Sequence, residues 1–377
     1  MSAVVVCSAI LAWIASQTKQ PILVAYFLCG IFLGPAGLSI VTDIELLHEM
    51  SRFGVMLLLF LAGLVLHPDR LAKFFKKAAT ITIAGSALSF LLVFMVLKIW
   101  GFTTADCTVS AIALMFSSTI LVVKLLPTTT LHQKYMGSIC IAILIAQDLL
   151  AVLFLLLIGP HEQGIIQFLW LPVKVVLLTF GAVFGEQYVV RKMMRKADRY
   201  NEVLLMLCLG WCAAVALSAE LIGIPYEVGA FIAGVTIARG KIALILSEEL
   251  KPLRDFFLMF FFFVLGATLE LEQLRSIWLP SLVISLLIAG SRPFWLSFLF
   301  KKLGEEDDFA TETGFRLGQA SEFALVIAMA ASASGKLTPQ IAQLVSLTTV
   351  LSMLFSSYLV VMKYPTPIGV RPKLQKD

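Results

Sequence analysis

Thirteen apolar runs, each of membrane-spanning or near-spanning length, follow one another along the chain with only short charged or Gly- and Pro-containing breaks between them. They lie at about residues 3–17, 21–38, 50–67, 78–100, 105–126, 136–158, 166–188, 203–221, 225–238, 256–271, 277–300, 309–334 and 341–361. In a bilayer every backbone amide and carbonyl must be paired within the protein, and runs of this length do so as helices. The expected fold class is therefore an all-α polytopic membrane protein with about 13 transmembrane segments. Composition agrees, since a soluble domain of 377 residues could not cover a chain that is 59% apolar and only 14% charged. The first run lacks a basic flank and leads straight into the second, unlike a cleavable signal peptide.

Basic residues give an orientation. Most of the 29 Lys and Arg residues fall in loops on one side if the N-terminus is outside and the C-terminus cytoplasmic. Only Arg52, Lys98, Lys174, Arg275 and Lys336 fall near the other side, and Arg292 and Arg316 remain within segments. The net charge of +5 thus mostly reflects topology, which excludes a nucleic-acid partner as its explanation. The six cysteines (Cys7, Cys29, Cys107, Cys140, Cys208, Cys212) are scattered through apolar runs without paired ligand spacing, so they read as small buried hydrophobes. No metal centre and no cofactor are expected.

The chain also repeats itself. "FGVMLLLFLAGLVLHPDRL" from Phe53 and "FFLMFFFFVLGATLELEQL" from Phe256 share Phe, Met, Phe, Gly, Leu and Leu at one offset, and "FLCG" at Phe27 echoes "FIAG" at Phe231 at nearly the same offset. Segments 1–6 then match segments 8–13, with segment 7 as connector. An offset of seven segments reverses direction in the membrane, giving two inverted repeats, a frequent build for secondary transporters.

Charged residues sit where charge is costly. Asp148 is 14 residues from Lys134 at the end of segment 6, about 21 Å along a helix and near the midplane of a core about 30 Å thick. Glu322 lies at a similar depth in segment 12, and Arg292 is inside the core on segment 11. A charge at the bilayer centre costs roughly 2.5–3.5 kcal/mol on insertion scales, so such residues face a cavity or a partner. Together with Gln147 and Gln319 they read as an ion site rather than as a structural ion pair. Arg292 would compensate the charge of either Asp148 or Glu322, and the sequence leaves that pairing open.

Two segments carry signs of interruption. Ser117, Ser118 and Thr119 sit mid-membrane in "FSSTILVVKLLP", and Gly318, Gln319, Ser321 and Glu322, followed by Phe323, interrupt "RLGQASEFALV" at the repeat-related position. Hydroxyls can satisfy backbone groups freed by a broken helix, and interrupted segments at equivalent places in both halves mark a transporter's substrate site.

"GIFLGPAGL", "FSSTILVVKLLP", "AQDLLAV", "GAFIAGVTIA", "SRPF" and "GQASEFALV" occur in an order and spacing that resemble the monovalent cation/proton antiporters of the CPA2 family. The Gln-Asp pair, the Arg-Pro pair and the G-Q-x-S-E-F string resemble specifically the Kef-type potassium/proton antiporters and their plant plastid relatives, over about residues 5–363. The resemblance implies a sodium/proton antiporter-like fold with crossed discontinuous helices. Asp148 would match the carboxylate that takes a proton or the cation, Gln147 its neutral neighbour, Thr119 and its serines the first break, Gly318 to Phe323 the second, and Arg292 the basic residue alongside. A K+ ion would be held at Asp148, Gln147 and Thr119. Electrogenic sodium/proton relatives usually carry Asp-Asp where this chain has Gln147-Asp148, which favours K+ and electroneutral exchange.

The same resemblance implies an elevator motion, a homodimer in the cell (inner or plasma) membrane, and a division of the chain. Residues 1–75 and 200–275 would form the scaffold, 76–160 and 276–363 the ion-binding core, 161–199 the connector and 364–377 a cytoplasmic tail. Kef-type proteins continue into a soluble nucleotide-binding regulatory domain, whereas this chain stops at Asp377, so nucleotide control is not carried over. The expected function is exchange of K+, or alternatively Na+, for H+, and not an enzymatic one. A cation channel or ligand sensor on the same fold and a sodium-coupled solute symporter are the alternatives. An intramembrane aspartyl protease would need a second aspartate at membrane depth, and the others fall in loops, tails or segment ends.

Overall fold

A computed structural model describes residues 1–366 apart from 19, 21, 36, 42–44, 65–67, 128–134, 159–163, 198–200, 239–240 and 270. Most of the expected 364–377 tail thus lies outside the described residues. The regular elements are helices: α1 (Ser2–Gln17), α2 (Ile22–Leu33), α3 (Glu45–Leu64), α4 (Pro68–Ile99), α5 (Thr104–Leu114), α6 (Thr119–Leu125), α7 (Tyr135–Ile158) and α8 (Gly164–Gly185). A π-helical turn over Glu186–Val190 leads to α9 (Arg191–Ala197), then α10 (Asn201–Leu221), α11 (Tyr226–Ile237), α12 (Lys241–Ala267), α13 (Leu271–Lys302), α14 (Asp307–Arg316), α15 (Phe323–Ala333) and α16 (Pro339–Lys363).

Every apolar run read from the sequence falls on one of these elements, and the two interrupted runs fall on the broken pairs α5/α6 and α14/α15. Eight stretches among the described residues are long and apolar enough to cross a membrane. Others are short: α2 has 12 residues, about 18 Å of helix, less than a hydrocarbon core. By contrast α12 begins 15 residues before its apolar run, because an amphipathic stretch with Glu248, Lys251, Arg254 and Asp255 continues the helix outside it.

The described residues form two compact units. One draws on Met1–Thr42, Arg70–Ala151 and Phe262–Asp377, and the other on Asp43–Asp69 and Val152–Phe261. Both broken pairs, α13, α16 and most of α7 belong to the first unit, together with α1 and α2.

Glycine sets the tightest crossings, and it does so twice. In the first unit a Cβ on Gly30 of α2 would run into the Phe263 carbonyl of α12, and one on Gly266 would run into the Phe27 carbonyl of α2. Within the second unit the same arrangement recurs: Gly234 of α11 lies against the Phe60 carbonyl of α3, and Gly63 against the Phe231 carbonyl of α11. These are the positions that the "FLCG" and "FIAG" echoes align, with the partner helices exchanged between repeats. Small residues let backbones approach where no hydrophobic force distinguishes helix from lipid.

Gly30→Ala and Gly234→Ala should each lower stability by about 1–3 kcal/mol, because backbone carbonyls cannot move aside. Gly210→Ala, where a Cβ meets nothing within 4 Å, should be neutral or stabilising by about 0.5–1 kcal/mol. Thermal melting in detergent separates them; equal melting temperatures for Gly234→Ala and Gly210→Ala would contradict the close crossing.

Candidate ion-binding site

Each broken helix is restarted by a serine. After α5 ends at Leu114 the chain turns and then extends at Ser118, whose side chain accepts from the Leu121 amide at 3.1 Å and caps α6. After α14 ends at Arg316, Ser321 Oγ accepts from the Phe323 amide at 3.1 Å at the start of α15. A short hydroxyl side chain competes with the backbone's own pairing, which is why it favours helix starts over helix interiors.

The interrupted helix ends then meet charges of opposite sign. Arg292 of α13 is buried and donates from Nη2 to the Leu114 carbonyl at 2.6 Å, and from Nη1 to the Phe116 and Gln319 carbonyls at 3.0 and 2.7 Å. Those carbonyls carry the negative ends of α5 and α14. The Glu322 carboxylate accepts from the Ile120 amide in the first turn of α6 at 3.2 Å, the positive end. The guanidinium's hydrogen bonds therefore go to backbone carbonyls, where the sequence had offered Asp148 or Glu322.

Around the first break, α7 contributes adjacent side chains with different tasks. Gln147 Oε1 accepts from the Ser117 amide at 2.9 Å, and Ser117 Oγ donates to the Leu317 carbonyl at 2.8 Å, tying the two breaks together. Asp148, buried in the middle of α7, has both carboxylate oxygens 3.3 Å from Thr119 Oγ1. One hydroxyl proton serves only one of those oxygens at a time, so the second contact leaves a lone-pair-rich edge. Gln319 Nε2 reaches the Ser118 carbonyl at 3.4 Å, and Gly318 packs under the Pro293 ring, where a Cβ would come within 2.9 Å.

Three residues that the sequence reading had not assigned hold this arrangement. Ser352 Oγ accepts from the Ala320 amide at 3.1 Å, and Ser356 Oγ donates to Gln319 Oε1 at 3.0 Å, both from α16. Their signal was the density of hydroxyls in an apolar helix: Ser346, Thr348, Thr349, Ser352, Ser356 and Ser357 are all buried. Arg316, noted only as a basic residue inside a segment, donates to the Leu125 carbonyl at the end of α6 (2.9 Å) and to the Pro365 carbonyl (2.8 Å), and pairs with Glu312 at 2.6 Å. Thus α6 is bonded at its N-terminal end by Glu322, just before α15, and at its C-terminal end by Arg316 of α14.

All the expected site residues therefore gather in one unit: Ser117, Ser118, Thr119, Gln147, Asp148, Arg292, Gly318, Gln319, Ser321, Glu322 and Phe323. Among the described residues no group of three or more His, Cys, Asp and Glu could hold a metal ion. What the site offers is a carboxylate, a hydroxyl, an amide and carbonyls, the oxygen donors that hard cations take.

The family model for the sodium/hydrogen exchanger transmembrane domain matches residues 4–362, nearly the whole chain. The chain belongs to this family. It is thereby a multi-pass membrane transporter of monovalent cations and protons, not an enzyme. Its fold is similar to that of the sodium proton antiporter MjNhaP1 from Methanocaldococcus jannaschii at pH 8, with a TM-score of 0.68 at 17% identity over 95% of this chain and 94% of that one. A second structure of that antiporter, from electron microscopy, matches with a TM-score of 0.66 at 15% identity over 94% of this chain and 93% of the other.

Hydrogen bonds to a charged group contribute about 1.5–3 kcal/mol each, and leaving buried carbonyls unpaired adds to the loss. Arg292→Ala should therefore lower stability by at least about 3 kcal/mol, and Arg292→Lys by less, since an ammonium cannot span all three carbonyls as the planar fork does. Melting curves test the order wild type, Lys, Ala; an Ala variant as stable as wild type would remove Arg292 from its bracing role.

Proposed function

We propose that the protein exchanges K+ for H+ by competition at Asp148, in a Kef-type, electroneutral antiport of the CPA2 kind. The observation that carries this reading is the Asp148 carboxylate, buried beside the first break with a neutral neighbour in sequence. Asp148 is buried within α7 with the Thr119 hydroxyl against both its oxygens, while its neighbour Gln147 is neutral and occupied with the Ser117 amide. With Glu322 engaged at the Ile120 amide, Asp148 would take up one charge per cycle, either a proton or a monovalent cation. Thr119, Gln147 and the carbonyls of the first break would complete the cation's oxygen shell, and Glu322 and Arg292 would hold the half-helix ends still around it.

Alternating access would follow an elevator path, in which the core carrying Asp148 moves against a dimer-forming scaffold. Supporting that division, every residue assigned to the ion falls in a single compact unit. The basic loops favour an outside N-terminus and a cytoplasmic C-terminus in the cell membrane. The structural neighbours are described as sodium proton antiporters, so Na+ is the alternative cation.

Proteoliposomes carrying a pH-sensitive dye test the exchange. K+ and Rb+ should collapse an imposed proton gradient, and Li+ and Na+ should do so less well; silence with every cation would sink the reading. Asp148→Asn keeps the shape and removes the titratable oxygen, so exchange should fall to the level of protein-free liposomes while the melting temperature holds. Near wild-type exchange in that variant would place the coupling elsewhere.

Gln147→Glu preserves the reach to the Ser117 amide and adds a second carboxylate beside the first. Two such groups titrate as a coupled pair and repel one another. The variant should shift preference toward Na+ and acquire voltage dependence, read as exchange under an imposed thiocyanate diffusion potential. A wild type already driven by that potential would overturn electroneutrality.

A further inference from the structure

The second unit holds a charged feature that ion exchange at Asp148 does not use. Helix α8 does not stop at its last apolar turn but widens into the π turn Glu186–Val190 and continues as the basic α9. A π turn inserts one extra residue per turn and is found disproportionately at functional positions. Here it carries Glu186 into a cavity of about 310 Å³ between α8 and α11. Val183, Phe231, Ile232 and Val235 give the cavity its apolar wall, with Thr179 and Thr236 as hydroxyls.

At the basic end of that cavity the polar groups are arranged asymmetrically. Glu186 is buried and accepts from Arg191 Nε at 2.9 Å and from Nη2 at 2.7 Å. This bidentate grip uses one edge of a guanidinium that is itself half-exposed, leaving the Nη1 donors for another group. Lys192, Arg195 and Lys196 follow within two turns and are exposed. Arg191 thus lines the cavity and three further cations follow it in the chain, immediately after a helix whose Val176, Leu177, Phe180 and Phe184 are exposed to what surrounds the protein. Basic clusters directly after a membrane helix attract anionic lipid.

We infer that the α8/α11 cavity is a phospholipid site, taking an acyl chain along Val183, Phe231 and Val235 and an anionic phosphate head at Arg191 and the basic face of α9. Glu186 is the positioning residue: it fixes the guanidinium plane so that one edge faces the ligand. The ligand chemistry is a phosphate joined to an acyl chain, and a phosphate ester alone would not fill the apolar wall. This site is independent of the cation chosen at Asp148.

The test uses the whole purified protein in detergent, with native mass spectrometry and thermal melting as readouts. Dioleoylphosphatidylglycerol is the probe, dioleoylphosphatidylcholine the neutral-head control and glycerol 3-phosphate the head without chains. Phosphatidylglycerol should form a discrete adduct and raise the melting temperature, with phosphatidylcholine and glycerol phosphate doing neither. Val235→Trp, which fills the cavity and leaves every charge, should reduce the adduct at least fivefold. So should the pair Glu186→Gln with Arg191→Gln, which avoids stranding one buried charge. Unchanged phosphatidylglycerol adducts in both variants would overturn the proposal, as would equal binding of phosphatidylcholine. Binding of glycerol phosphate as strong as that of the lipid would assign the site to a free phosphate ester instead.

Discussion

A broken helix inside a membrane leaves carbonyls and amides that no water can satisfy, and the grip of Arg292 on three such carbonyls is what the rest of the site depends on. Leu114, Phe116 and Gln319 come from two different chain interruptions, yet one planar guanidinium serves them all. The geometry asks for a fork of fixed shape and permanent charge, which lysine does not supply. With the negative helix ends held by Arg292 and the positive end of α6 by Glu322, the two breaks lie against each other without either charge being spent on Asp148.

The glycine crossings do for the frame what Arg292 does for the site. Carbonyl-to-glycine contacts recur in both repeats with partners exchanged, so the close packing of α2 on α12 is written a second time in α3 on α11. Such contacts fix helix position through backbone atoms, which do not adjust rotamers as side chains do. Crossings of this kind keep their geometry when the surrounding apolar residues vary.

Much of this was legible in the sequence because membrane folding leaves few choices. The runs from 105–126 and 309–334 announced their breaks through Ser117, Ser118, Gly318 and Ser321, residues that disturb helices locally, and the breaks fall there. The echoes at Phe27 and Phe231 pointed to a repeat, although not to the close helix contacts that their glycines make nor to the exchange of partners. Arg292 was visible as a costly charge, but its partners were not, since backbone carbonyls leave no mark in a sequence. Ser352, Ser356 and the role of Arg316 escaped notice for a related reason: their partners lie far along the chain, the Ala320 amide for Ser352, the Gln319 side chain for Ser356 and the Leu125 carbonyl for Arg316. Serine in a membrane helix commonly bonds only its own preceding turn, as Ser357 does with Met353.

The break in each repeat is pinned by a side chain from a neighbouring long helix: Gln147 of α7 takes the Ser117 amide, and Ser352 of α16 takes the Ala320 amide. The two halves nevertheless divide their labour unequally. In the first, the pinning residue Gln147 and the carboxylate of Asp148 are neighbours in sequence, so the brace and the charge belong to separate side chains. In the second, the serine that pins the break stands at nearly the position where the repeat would put the aspartate. A duplicated architecture has thus been left with a buried carboxylate beside the pin of one half and a serine as the pin of the other, a difference that lies in side chains rather than in helices.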